Sequence, residues 1–228
     1  QLFETNPVLK AEQEKRLAQY LPYWADEIGA LSDDPLLVVA NEFFDALPIR
    51  QFVRGEDAWH ERQIGLRDGK RAFGLSPTPI PADVLPEEVR DAPPGSIYEA
   101  GIAAGEVMAT LAEKIATQGG AILAIDYGYG RTQTGETLQA VAKHAYADPL
   151  EAPGEADLSA HVDFDALGKV ATKAGLIVQP LTPQGLFLKR IGIGERAAAL
   201  ARANPGEMDA IEAALKRLIA PDQMGGLF

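Results

Sequence analysis

The sequence predicts an α/β fold: a parallel sheet of Rossmann-like kind with an antiparallel piece inserted into it. Three observations predict it. Residues 36–40, Leu-Leu-Val-Val-Ala, form an apolar run without polar alternation that stops abruptly at Asn41, Glu42 and Asp45. A second run, Gly120-Ala-Ile-Leu-Ala-Ile-Asp-Tyr-Gly-Tyr129, repeats the design. Such runs suit strands buried on both faces of a parallel sheet, whereas residues 49–75 alternate with the two-residue rhythm of antiparallel strands. In open α/β sheets ligands bind outside the carboxyl ends of the strands. The amide, carboxylate and phenol groups that close the two runs therefore point to one shared site.

In chain order, residues 1–5 read as the tail of a strand and Asn6-Pro7 as a helix start, with Leu9, Gln13, Arg16, Leu17 and Tyr20 following at helical spacing. Residues 21–24 suit a weak strand before the acidic loop around Asp26, Glu27, Asp33 and Asp34. Segments 49–53, 59–66 and 72–75 form an antiparallel meander whose turns are 55–57 and 67–70. Residues 76–95 contain six of the sixteen prolines and read as an irregular, stiffened connection. A helix over 101–117 follows, with Ile102, Val107, Met108, Leu111 and Ile115 on its apolar side, and Gly119-Gly120 ends it. Residues 130–160 are loop-rich. Asp163 sits where an N-cap opens a helix over 164–174 that Gly175 closes. Residues 176–181 are strand-like, 184–185 a tight turn, 195–203 and 206–219 Ala-rich helices, and 225–228 the start of a strand. The domain division is therefore 1–48 with 96–228 for the α/β part, and 49–95 for the insertion, a candidate lid or substrate-recognition element.

Composition narrows the function. The 228 residues suffice for a real core, with a hydrophobic fraction of 46% and a charged fraction of 24%. A net charge of −12 opposes attraction to nucleic acid or to an anionic membrane and leaves a basic protein as an allowed partner. Zero cysteines exclude disulfides, thiolate zinc sites and cysteine nucleophiles. Three histidines are a poor supply for a metal site, although His161 and Asp163 form a His-Val-Asp pair. No segment has the run of apolar residues a membrane helix needs, and no signal peptide is visible.

At this point the residues resemble the MidA-like family of class I S-adenosylmethionine-dependent methyltransferases, whose mitochondrial members are protein arginine methyltransferases needed for respiratory complex I assembly. The stretch Asn41-Glu-Phe-Phe-Asp-Ala-Leu-Pro48 carries the resemblance. It continues in order through Glu4-Thr-Asn-Pro with Leu9 and Gln13, then Gly119 to Tyr129, Gly135-Glu-Thr-Leu-Gln-Ala140 and His144-Ala-Tyr-Ala-Asp-Pro-Leu150. Gly154-Glu-Ala-Asp-Leu-Ser-Ala-His-Val-Asp-Phe164 and Gln184-Gly-Leu-Phe-Leu188 complete it. The resemblance implies a class I methyltransferase sheet, S-adenosyl-L-methionine as cofactor and a protein substrate with an arginine in a basic segment. Family members also carry a first strand and a glycine-rich Glu-x-Gly-x-Gly-x-Gly loop, just before the segment equivalent to Glu4. Neither stands in this sequence, which is expected to start in the second sheet strand and to stop where the last begins. A first residue other than Met agrees. The chain alone is then expected to bind cofactor weakly or not at all, the full-length parent being the enzyme.

Methyl transfer from a sulfonium is an in-line displacement, so alignment is the main task. Arginine stays charged in proteins, so carboxylates must hold the guanidinium and help remove its proton. Asn41, Glu42 and Asp45 are the candidate catalytic residues, with Asn41 also on the cofactor side; the plain alternative is that Asn41 or Asp45 caps the following turn. Glu4 ends a strand where nucleotide-type folds place an acid against ribose hydroxyls, or else is a solvated strand-end carboxylate. By the resemblance, Asp26 faces the adenine. Asp126, Tyr127 and Tyr129 are candidates for the substrate side or for hydrogen-bonded support, and His161 for a substrate-side base. Trp59-His60-Glu61 in the meander forms either a lid or ordinary hairpin packing. The rival functional reading is a non-catalytic assembly scaffold that keeps the fold; a nicotinamide enzyme is disfavoured by the lack of a dinucleotide fingerprint. Bacterial cytoplasm is expected over the mitochondrial matrix because no targeting segment is present.

Overall fold

A computed structural model describes residues 1–226. In chain order its regular elements are β1 (Leu2–Phe3), α1 (Pro7–Leu17), β2 (Trp24–Ala25), β3 (Leu36–Asn41), β4 (Arg50–Arg54), β5 (Trp59–Arg67), β6 (Lys70–Ile80) and α2 (Glu87–Arg90). There follow β7 (Ile97–Ala100), α3 (Ile102–Gln118), β8 (Gly120–Ile125), β9 (Gly128–Tyr129), β10 (Gln139–Ala142), β11 (Ala145–Ala147), β12 (Asp157–Ser159) and β13 (Val162–Asp163). Four helices close the chain: α4 (Phe164–Lys173), α5 (Gln184–Arg190), α6 (Ile193–Ala203) and α7 (Met208–Ile219).

The α/β part is assembled from parallel pairs. β3 lies along β8 from Leu36 opposite Gly120 to Asn41 opposite Ile125, β1 lies along β2, and β9 along β13. Helices α3 and α4 cover one face of the β3–β8 pair. Ala104, Met108 and Ala112 of α3 meet Leu167 and Ala171 of α4 over Ala40, Phe44 and Val162. The alanines keep the layers close. Ile102, expected on this apolar side, is exposed. Leu37 and Val39 point the other way and are 85% and 68% exposed, so β3 is covered on one face rather than two. The unalternating run reflects apolar residues on both faces; among the described residues only one face finds a partner.

Local signals act where short-range chemistry decides. The Asn6 side chain accepts from the Val8 and Leu9 amides, with Pro7 at the first helical position, and this opens α1. Asp163 accepts from Ala166 N at 2.9 Å and opens α4, which ends at Gly175 with φ 97.

β4, β5 and β6 form a four-stranded antiparallel sheet with β7, a strand just beyond residues 49–95, in the order β6-β5-β4-β7. Residues 76–95 are more regular than expected. Pro77 and Pro79 sit in β6, an edge strand, where a missing N–H breaks no ladder. The stretch then runs through a 3₁₀ turn and α2 before β7 closes the sheet against β4. Trp59 is no exposed lid residue: it is 1% exposed, packs with Phe52, Leu85, Val89 and Tyr98, and donates its indole N–H to Arg90 O.

Several further expectations are corrected. The loop-rich stretch 130–160 contains a three-stranded sheet, β11-β10-β12. Its hairpin turns through Lys143 and His144, at φ 52 and 64, a primed turn made without glycine. Residues 176–181 form no strand, with Leu176 packed on the core but Ile177, Val178 and Leu181 exposed, and 184–185 open α5 instead of a tight turn. Gly225 and Gly226 belong to the 3₁₀ turn Met224–Gly226 and not to a strand; residues 227 and 228 lie outside the described residues.

Candidate active site

Glu4, Asp26 and Asp126 follow directly on β1, β2 and β8, and Asn41 is the last residue of β3. Parallel pairing puts each pair's carboxyl ends together. The Phe3 and Phe43 rings meet edge-on at 6.1 Å and join the end of β1 to the turn that follows β3. A single edge of the α/β part thus carries an amide and several carboxylates.

The turn at residues 42–45 is built by one oxygen. Asp126 Oδ2 accepts from Phe43 N at 3.2 Å, Phe44 N at 2.9 Å and Asp45 N at 3.3 Å. Just before them, Glu42 N donates to Ile125 O at 2.9 Å and Glu42 stands at φ 46, a left-handed conformation that non-glycine residues seldom adopt. Its side chain is exposed.

Asp126 is only 2% exposed. Burial, with Asp45 nearby, pushes its carboxyl from the ordinary 3.8 up to about 6, against the pull of the three amides. The folded state then holds this proton where the unfolded chain has released it. Its contribution is complete below the unfolded value and is lost as pH rises through the folded one. Unfolding free energy from urea titrations is expected to decline between about pH 4 and 6, and the Asp126→Asn variant should lack that share of the decline.

Asp45, 6% exposed, accepts the Tyr127 hydroxyl on Oδ2, and its carbonyl accepts from Ala160 N at 3.0 Å. Burial and that bond push the Tyr127 phenol up to about 12, so it remains a donor at neutral pH. The His161 ring meets Tyr127 edge-on, centroids 6.0 Å apart. The fold therefore gathers Glu42, Asp45, Asp126, Tyr127 and His161 within one neighbourhood. Asp45 Oδ1 and Asp126 Oδ1 are buried without a hydrogen-bond partner, so neither carboxylate is saturated.

Other predicted residues lie apart. Tyr129 stands in β9, where burial and then Asp163, Glu99 and Tyr98 push its phenol up, so it belongs to the insertion side of the fold. A cavity of about 190 Å³ opens there, lined by Phe44, Tyr98, Glu99, His161 and Asp163 among others. Glu4 accepts from Asn6 N at 2.8 Å and from Gln13 Nε2 at 3.2 Å, and Gln13 in turn accepts the Trp24 indole N–H at 3.1 Å. Asp26 is exposed and pairs with Lys10 at 3.4 Å, a contact of small energetic weight. Among the described residues no group of three or more His, Asp or Glu could hold a metal ion, and no helix is long and apolar enough to cross a membrane.

Two residues of this region were given no role from the sequence: Glu99, and Thr137, which stood only within the stretch Gly135–Ala140. Glu99 is a single carboxylate inside the strand-like Ile-Tyr-Glu-Ala, and that misplaced charge was the available signal.

Comparison with known proteins gives this geometry a context. The sequence model of a family described as S-adenosyl-L-methionine-dependent methyltransferases matches residues 1–182. The chain is 36% identical over 213 residues to the mitochondrial protein arginine methyltransferase NDUFAF7 of Danio rerio, covering 90% of this chain and 49% of that protein. It is 32% identical over 222 residues to the homologue from Caenorhabditis elegans, covering 87% of this chain and 52% of that one. Among solved structures, a Burkholderia thailandensis protein bound to S-adenosyl-homocysteine superposes with a TM-score of 0.82 at 27% identity, over 98% of this chain and 60% of that chain. The chain thus spans about half the length of the curated relatives it matches.

Proposed function

Because the chain belongs to this family of S-adenosyl-L-methionine-dependent methyltransferases, we propose that its carboxyl edge serves methyl transfer to an arginine of a protein substrate. The observation that carries the reading is Glu42. It is held at φ 46 by backbone hydrogen bonds on both sides, with its side chain exposed beside the half-buried Tyr127 and its buried partner Asp45. Backbone strain of this kind clusters at functional sites, where the surrounding structure enforces it. The relatives named as protein arginine methyltransferases support arginine as the target.

The donor set at Glu4 fits the cofactor's sugar. Each Glu4 oxygen accepts a single hydrogen bond, which leaves a lone pair on each for a vicinal diol. Asp26 and Asn41 stand on the same edge for the remaining polar contacts. When bound, S-adenosyl-L-methionine supplies a methyl group on positively charged sulfur. Glu42 would accept hydrogen bonds from the substrate guanidinium and take the proton that its nitrogen loses on methylation. Tyr127 and His161 line the substrate side; Asp45 fixes Tyr127, and Asp126 fixes the turn that presents Glu42.

The net charge of −12 suits a basic substrate segment, and the insertion is the recognition element in this reading. The compartment is the bacterial cytoplasm or, as the names of the curated relatives favour, the mitochondrion. Two measurements on the full-length protein test the proposal. S-adenosyl-homocysteine at 100 times its Kd should stabilise the fold by about 2.7 kcal/mol, read as a raised Tm. Labelled methyl groups should enter arginine in a basic peptide. No shift at millimolar ligand, or label entering only lysine, would overturn it.

A further inference from the structure

Glu99 is the most heavily engaged side chain outside the edge just described. It is 4% exposed, on β7, yet four donors converge on it. Oε1 accepts from Gln51 Nε2 at 2.8 Å, Thr137 N at 3.1 Å and Leu138 N at 3.0 Å, and Oε2 accepts from Thr137 N at 3.1 Å and from the Thr137 hydroxyl. Gln51 belongs to β4, and its own amide oxygen accepts from Arg62 Nη1 of β5 at 3.3 Å. Arg62 also pairs with Glu136, and Gly135 N donates to Ile97 O at 2.8 Å. Strands β5 and β7 therefore grip residues 135–138, and Gln51 of β4 braces both Glu99 and Arg62 behind them.

The grip extends to the edge through one atom. The Thr137 oxygen, whose proton goes to Glu99, accepts the His161 backbone N–H at 2.8 Å. His161 meets Tyr127, and Tyr127 donates to Asp45. A buried carboxylate with its donors all satisfied makes a stiff anchor, because any displacement leaves a charge or several amides without a partner in a dry place.

We propose that Glu99 is a positioning residue: through the Thr137 hydroxyl it fixes His161 against Tyr127, so the insertion sets the substrate side of the edge without contributing a side chain to it. This rests on the reading above that His161 and Tyr127 face the substrate. It gives a reason for a carboxylate buried in a strand with no ion-pair partner among the described residues. It also gives the insertion a direct mechanical role at the site.

The test reads the geometry, so it is independent of methyl transfer. The chain has three histidines, His60, His144 and His161, and their ring Cε1–H resonances can be assigned by substitution. Thr137→Val removes only the hydroxyl and leaves both amides that Glu99 accepts. It should shift the His161 resonance and abolish the cross-peak between the His161 and Tyr127 rings. Thr137→Ser, which keeps the hydroxyl, should restore both signals. Glu99→Gln, which sets an amide donor against donors, should reproduce the valine result if it folds. The His60 and His144 resonances should remain in place throughout. An unchanged His161 resonance and cross-peak in folded Thr137→Val would overturn the proposal and leave Glu99 a support of the insertion alone. Full-length protein that transfers no methyl group while His161 responds as stated would overturn the functional reading and not this one.

Discussion

Replacing Asp126 with alanine is expected to cost roughly 3–5 kcal/mol of stability, while Asp126→Asn costs little at neutral pH. Alanine strips one acceptor from the amides of Phe43, Phe44 and Asp45, two of which belong to buried residues. Each buried donor left without a partner costs about 1–3 kcal/mol. Removing the charge offsets part of this loss, since burial already raises the Asp126 carboxyl to about 6. Asparagine keeps the accepting oxygen and removes the charge beside Asp45. Its amide nitrogen would stand where Asp126 Oδ1 now has no partner. Urea unfolding of the two variants at pH 7.5 decides the point. Equal destabilisation by both would mean that the charge, and not the accepting oxygen, builds the turn.

That contrast shows which layer of the protein is legible in the sequence. The parallel pair β3–β8 announced itself through unbroken apolar runs, although among the described residues only one face of β3 is covered, and its polar ends fell where parallel topology requires them. Asn6-Pro7 and Asp163 could be read as helix starts because a cap is settled within three residues. Asp126 itself was legible only as a polar residue at a strand end. Its task, collecting the amides of residues 43–45 from more than eighty positions away, exists only once two strands lie side by side. Glu99 fails in the same way, since its partners Gln51 and Thr137 lie 48 and 38 positions off. The Lys143–His144 turn carries the backbone of an Asn-Gly turn without its residues. Residues 176–181 read as a strand because a short apolar run does not reveal whether its partner is a sheet or a helix.

Glu42 is where stability and function should separate most cleanly. Glu42→Gly removes the Cβ that makes φ 46 costly, about 1–2 kcal/mol for an L-residue. The added freedom of glycine in the unfolded chain returns roughly 0.5–1 kcal/mol of that gain. The variant should therefore be more stable by about 0.5–1 kcal/mol in urea unfolding, yet the full-length protein carrying it should lose methyl transfer because the carboxylate is gone. Glu42→Gln keeps the strain and the side-chain length, so its stability should match the parent. Without a group to take the guanidinium proton, turnover of the full-length protein should fall on the order of 100-fold or more, with its S-adenosyl-homocysteine affinity retained. A stabilised but inactive glycine variant would mean that the fold holds Glu42 in an unfavourable backbone for the sake of its carboxylate. Were glycine destabilising, the turn would depend on the Glu42 side chain. If glutamine turned over normally, proton removal would have to pass to another group of the edge, with His161 the first to test.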